Sequence, residues 1–118
     1  MAQILIFGAS TPYGVGGSNG GWPDLLKQKL HEQMYLKKEL VIEKHEVYNL
    51  CVPGATISDI ETRFSVEVES YSKPGRDLVI AIMLGGNDAK AKNKPNDFVN
   101  TPQNFFIQMK EWAVKAKE

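Results

Sequence analysis

The chain has 118 residues, 42% of them hydrophobic and 24% charged, which is enough for one ordinary globular domain with a real core and too short for two. Fourteen basic residues cancel fourteen acidic ones, so no basic excess exists to neutralise a nucleic-acid backbone or an anionic membrane, and neither is expected as a partner. No apolar run approaches the roughly 18 residues that span a bilayer, no charged leader with a cleavage site precedes the first elements, and a single cysteine, Cys51, fits a reducing compartment; the expectation is a soluble cytoplasmic protein.

Gln3-Ile4-Leu5-Ile6-Phe7, ending at Gly8, is a short continuous apolar run of the kind that forms a strand buried on both faces in a parallel sheet. A glycine-rich stretch from Gly14 to Gly21 follows, and Pro23 then opens a helix whose buried stripe is Trp22, Leu25, Leu26, Leu30 and Met34. The charged segment from Tyr35 to Lys44 reads either as the frayed end of that helix or as a linker. His45 to Leu50 supplies a weaker second strand, and Pro53-Gly54 breaks the chain. Ile57, Ile60, Phe64, Val68 and Tyr71 mark one face of a second helix, which Pro74-Gly75 ends. Asp77 to Leu84 is the most apolar stretch of all and reads as a central strand covered on both faces. After a polar loop, Thr101-Pro102 caps and starts a third helix with a stripe of Phe105, Phe106, Met109, Trp112, Ala113 and Ala116.

The order β-α-β-α-β-α predicts a three-layer α/β/α, doubly wound parallel sheet with right-handed crossovers. Three strands are few for such a sheet, and the third is too apolar to sit at an open edge, where unpaired backbone groups invite another chain. The expectation is that residues 1–118 are the N-terminal portion of a single domain whose sheet continues beyond the third β-α unit, or that a partner strand, in a homodimer or from a complementing C-terminal segment, covers that edge.

Nine of the ten glycines, all but Gly75, fall in the three loops that leave the carboxyl ends of the strands. In an open α/β sheet those loops share one edge, the usual ligand-binding edge, and glycine lets backbone N–H groups face a ligand. A nucleotide loop is the obvious rival, but the second and fifth positions after Gly8 are Ser10 and Tyr13, no acidic residue ends the second strand, and no Gly-Lys occurs anywhere. Both the dinucleotide fingerprint and the Walker loop therefore fail.

Gly8-Ala9-Ser10-Thr11 after the first strand, Gly54 after the second (with Asn49-Leu50 and Gly54-Ala55-Thr56 around it) and Gly85-Gly86-Asn87-Asp88 after the third resemble the first three sequence blocks of the SGNH/GDSL hydrolases. The resemblance runs from Phe7 to about Phe106. It implies a flavodoxin-like fold and a serine esterase, lipase or acetylhydrolase acting on a small acyl ester, with no metal and no cofactor. Carried over by position, it makes Ser10 the nucleophile and makes the Ser10 N–H, the Gly54 N–H and the Asn87 carboxamide the donors of an oxyanion hole. Asp88 is assigned to holding the loop through backbone N–H groups.

The chain departs from the family pattern at Ala9, where aspartate is usual, and in having no counterpart of the Asp-x-x-His segment that supplies the base and its orienting acid. A neutral serine hydroxyl is a poor nucleophile without an adjacent base. His31 lies about 12 Å down the first helix and His45 begins the second strand, roughly 16 Å from its far end, so neither is placed to serve. The expectation is a family hydrolase whose base comes from residues absent here, the chain alone being inactive or very weak; the competing class is a hydrolase remnant that binds a ligand or partner. Lys90, Lys92 and Lys94 read as a solvated loop, or as a lid for an acidic substrate. Cys51 reads as a small buried residue, and Trp22 and Trp112 as core.

Overall fold

A computed structural model describes residues 2–36, 45–90 and 99–117, with side chains through Val114. The elements run β1 (Ala2–Gly8), α1 (Ser10–Tyr13), α2 (Trp22–Leu36), β2 (Glu46–Asn49), α3 (Ile57–Tyr71), β3 (Asp77–Met83) and α4 (Pro102–Lys117). The three strands form one parallel sheet in the order β2-β1-β3. This is the α/β, flavodoxin-like layout expected. Residues 37–44 and 91–98, and with them most of the charged stretch before β2 and of the lysine loop, lie outside the described residues.

The alternation of side chains along β1 explains why helices cover both faces. Leu5 and Phe7 point to one side, where they meet Ile60 and Phe64 of α3 and Trp112 of α4 in a buried cluster, with Ile80, Ile82 and Met109 packed around it. Ile4 and Ile6 point to the other, against Val47, Cys51, Ala81 and the α2 residues Leu26 and Leu30. Phe7, Phe64 and Trp112 stack in series, Phe64 meeting Trp112 edge-on at 5.1 Å. Burying aromatic side chains this fully contributes about 1.5–3 kcal/mol each.

The far end of the sheet, where β1 and β2 begin, is locked by polar contacts. The buried Gln3 amide donates to Glu46 and to the Tyr71 carbonyl and accepts from the Lys73 N–H. Glu46 also takes Arg76 at 2.6 Å and the Tyr48 hydroxyl at 2.8 Å. The Arg76 hydrogen bond first, then those of Tyr48 and Gln3, hold the Glu46 carboxyl down at about 2, and the same carboxylate pushes the Tyr48 phenol up.

Several expectations change. A short helix, α1, occupies the start of the glycine-rich loop. Trp22 and Leu25 are exposed rather than buried, because only one side of α2, through Leu26 and Leu30, reaches the sheet. In α4, Phe106 and Ala113 face solvent while Phe105, Met109 and Trp112 turn inward; Ala116 lies beyond the described side chains. The third strand is not central among the described residues but an edge. Val79 and Met83 are 46% exposed, since on their face of the sheet α2 packs over β1 and β2 and reaches only Ala81 of β3.

Candidate active site

Parallel strands deliver their following loops to one edge, and here β1 and β3 deliver two of them side by side, with Gly8 paired to Met83 at the strand ends. Ala9 turns the chain into α1, which Ser10 begins. From β3 the chain passes through Leu84 and Gly85-Gly86 to Asn87. Ser10 and Asn87 thereby line one open cleft of about 250 Å³, together with Ala9, Thr11, Pro12, Met83, Leu84 and Gly86.

The third expected residue, Gly54, is not among those lining the cleft. It sits in the loop after β2, in a turn closed by the Ala55 N–H on the Val52 carbonyl at 3.1 Å. Pro53 and Gly54 are its central residues, and Gly54 has φ +84°, the positive value that this position of a type II turn demands. A Cβ at Gly54 would meet nothing within 4 Å. Backbone conformation, not crowding, is therefore what calls for glycine here. Asn87 joins this turn to the cleft, its Nδ2 donating to the Ala55 carbonyl at 3.0 Å. A carboxamide carries two N–H groups, and one of them holds the loop.

Asp88 takes the structural role expected of it. It is 2% exposed, and its two oxygens accept from the Ile57 N–H in the first turn of α3 while Oδ1 also accepts from Asn100 Nδ2 at 3.1 Å. A negative charge at a helix N-terminus answers both the orphan N–H groups and the helix dipole. The side chain of Asp59 closes the same helix end by accepting from the Thr56 N–H and hydroxyl.

On the other side of α1 the glycine-rich loop folds back on itself. Gly21 lies so close to the Pro12 carbonyl that any Cβ would collide with it, so this glycine serves packing rather than a ligand. Asn49 at the end of β2 ties the region together, its Nδ2 donating to the Asp24 carboxylate and to the Pro12 carbonyl and its Oδ1 accepting from the Cys51 N–H. Sequence reasoning missed this bracing role and that of Asn100. For Asn49 the available signal was a carboxamide at the carboxyl end of a strand, ahead of the turn-forming Pro53-Gly54. Cys51 is buried beside Ile6, and burial pushes its thiol up to about 11, which removes it as a nucleophile at neutral pH.

Neither histidine reaches the cleft. His31 is on the exposed side of α2, in its third turn. His45 accepts from the Ala2 N–H at the opposite end of the sheet, and the seven residues of β1 that separate Ala2 from the cleft span about 20 Å. Among the described residues no group of three or more His, Cys, Asp or Glu side chains is placed to hold a metal ion, and no helix is long and apolar enough to cross a membrane.

No curated protein matches the chain. A family model described as GDSL-like Lipase/Acylhydrolase matches residues 4–116, a span that runs from within β1 to within α4.

Proposed function

The chain belongs to the GDSL-like lipase/acylhydrolase family, and from that premise we propose that it is a serine ester hydrolase acting on a small acyl ester, with Ser10 as nucleophile and with the Ser10 N–H, the Gly54 N–H and the Asn87 carboxamide as oxyanion donors. The observation that carries the reading is the shared cleft: Ser10 and Asn87, 77 residues apart in sequence, line the same cavity. Gly54 is linked to it through its neighbour Ala55, whose carbonyl holds Asn87.

In the proposed step the Ser10 Oγ attacks the ester carbonyl and forms a C–O bond, the carbonyl π pair moves onto oxygen, and the hydroxyl proton passes to a base. The oxyanion is met by donors fixed before the reaction begins, an arrangement worth about 3–4 kcal/mol per donor in comparable sites. Collapse expels the alcohol, which takes up a proton, and water then hydrolyses the acyl-serine. The base is neither His31 nor His45, on the geometry above, and comes from outside these 118 residues. The exposed apolar edge of β3 is where we place the segment or second copy that brings it.

Methylboronic acid, whose boron accepts a serine oxygen to give a tetrahedral mimic of the intermediate, tests the reading without needing the base. Binding that weakens at least tenfold in Ser10→Ala and in Asn87→Ala supports it; equal binding by all three proteins refutes it. On p-nitrophenyl acetate the chain alone should show little turnover, and robust turnover abolished by Ser10→Ala would show that a base lies within the chain after all. The position of the two histidines also favours a second reading, a binding module that kept the pocket. That reading gains if the protein behaves as a clean monomer, binds the boronate and stays inactive.

A further inference from the structure

Resting on the serine-hydrolase reading, we propose that Met83 is a specificity-determining residue: its side chain forms the wall along which the acyl chain lies, and it limits the substrates to esters of short straight acyl groups, acetyl to butyryl. Three observations lead there. First, Met83 ends β3 in register with Gly8, two residues before Ser10, so it stands beside the base of the nucleophile's turn. Second, the cleft is lined by both kinds of group, with Ser10, Thr11 and Asn87 polar and Pro12, Met83 and Leu84 apolar, as an ester with a polar carbonyl and an alkyl chain requires. Third, Met83 is 46% exposed and, unlike the equally exposed Val79, borders the cleft that holds Ser10, so an acyl chain lying there would cover it.

Size sets the limit. At about 250 Å³ the cleft falls below the roughly 300–1,000 Å³ of pockets that enclose drug-sized ligands. Another cavity among the described residues, lined by Gly85, Asp88, Ala89, Asn100, Pro102 and Phe105, includes neither Ser10 nor Asn87 and shares no lining residue with the cleft. An unbranched, polarizable methionine adapts its shape to straight chains of differing length.

The test is a series of straight-chain alkylboronic acids from methyl to octyl, titrated calorimetrically into the 118-residue protein and its variants. In the wild type, affinity should rise about two- to fourfold per methylene, the increment of burying one CH₂ in a half-open to closed site, and level off beyond propyl, the boronate that matches a butyryl ester because boron takes the place of the carbonyl carbon. Met83→Ala should flatten the rise, lowering the propyl-to-methyl ratio at least threefold. Met83→Trp should reverse it by filling the wall. Val79→Ala, equally exposed on the same face of β3 but outside the cleft, should leave the profile as it is. A profile that both Met83 variants share with the wild type, while binding still requires Ser10, overturns the inference and leaves the hydrolase reading standing. Absence of Ser10-dependent binding at every chain length overturns both.

Discussion

Replacing Asp88 by alanine probes the contact that sets the β3–α4 loop against α3. The substitution removes an acceptor from two donors: the Ile57 N–H, 3.2 Å from Oδ2, and Asn100 Nδ2, 3.1 Å from Oδ1. Each is a hydrogen bond to a charged group, worth about 1.5–3 kcal/mol, so a simple sum would run from about 3 to 6 kcal/mol. Two effects reduce it. A carboxylate is no longer held out of water, and the neighbouring cavity of about 230 Å³, which Asp88 and Asn100 border, can admit water to the freed donors. Ile57 is fully buried, which limits that rescue, and we expect a loss of about 2–3 kcal/mol. Asp88→Asn keeps one oxygen for Ile57 but turns an NH₂ toward Asn100, also a donor, and should cost about half as much. Urea denaturation followed through the buried Trp112 measures both, and an unchanged dependence on urea would show that the native and unfolded states kept their extent. An Asp88→Ala protein within 0.5 kcal/mol of wild type, or an asparagine variant as damaged as the alanine one, would refute the assignment.

Three further outcomes are expected. Glu46, held at about 2 when folded against an ordinary 4.5, contributes stability that is fully present above pH 4.5 and lost as the pH falls toward 2. Since the Glu46 side chain is 27% exposed, screening reduces its worth to about 1–2 kcal/mol, and Glu46→Gln should remove that acid-dependent part from a series of urea midpoints. Gly54→Ala forces a Cβ onto φ +84° and should cost about 1–2 kcal/mol in the same assay; no loss at all would mean that the turn is not of the proposed type. Iodoacetamide should alkylate Cys51 at pH 8 about a hundredfold more slowly in the native protein than in urea, because burial raises the thiol to about 11 and leaves little thiolate; equal rates would show the thiol to be open.

Much of this was legible in the sequence because each feature had a local cause. Apolar runs ending in glycine gave β1 and β3, the spacing of Ile57, Ile60 and Phe64 gave the buried face of α3, and Thr101-Pro102 gave the start of α4, where Asn104 N–H donates to the Thr101 hydroxyl. The strand order in the sequence puts Ser10 and Asn87 on one edge, because parallel strands deliver their loops together. What failed to show was anything set by a neighbour distant in sequence. Periodicity cannot tell which stripe of α2 or α4 the sheet will meet, so Trp22 and Phe106 were given to a core that leaves them outside. Nor does it reveal that the glycines after α1 pack the loop on itself.

The third strand is the instructive case, since the sequence argument about it was right in its physics and wrong in its position. Leu78 to Met83 carries the continuous hydrophobicity of a strand buried on both faces, yet it lies at the edge, paired only with β1 among the described residues. An unpaired, apolar edge next to a solvated one is not neutral, because its free N–H and C=O groups form a template for another strand. Helix α4 covers the Ile80 and Ile82 face, while on the opposite face Val79 and Met83 remain open, Met83 at the rim of the cleft that holds Ser10. A strand added at that edge would run its own loop toward the same rim. The open edge of β3 and the Ser10 cleft thus fall at one place, and on the proposed reading a single added element would both cover the edge and bring the base.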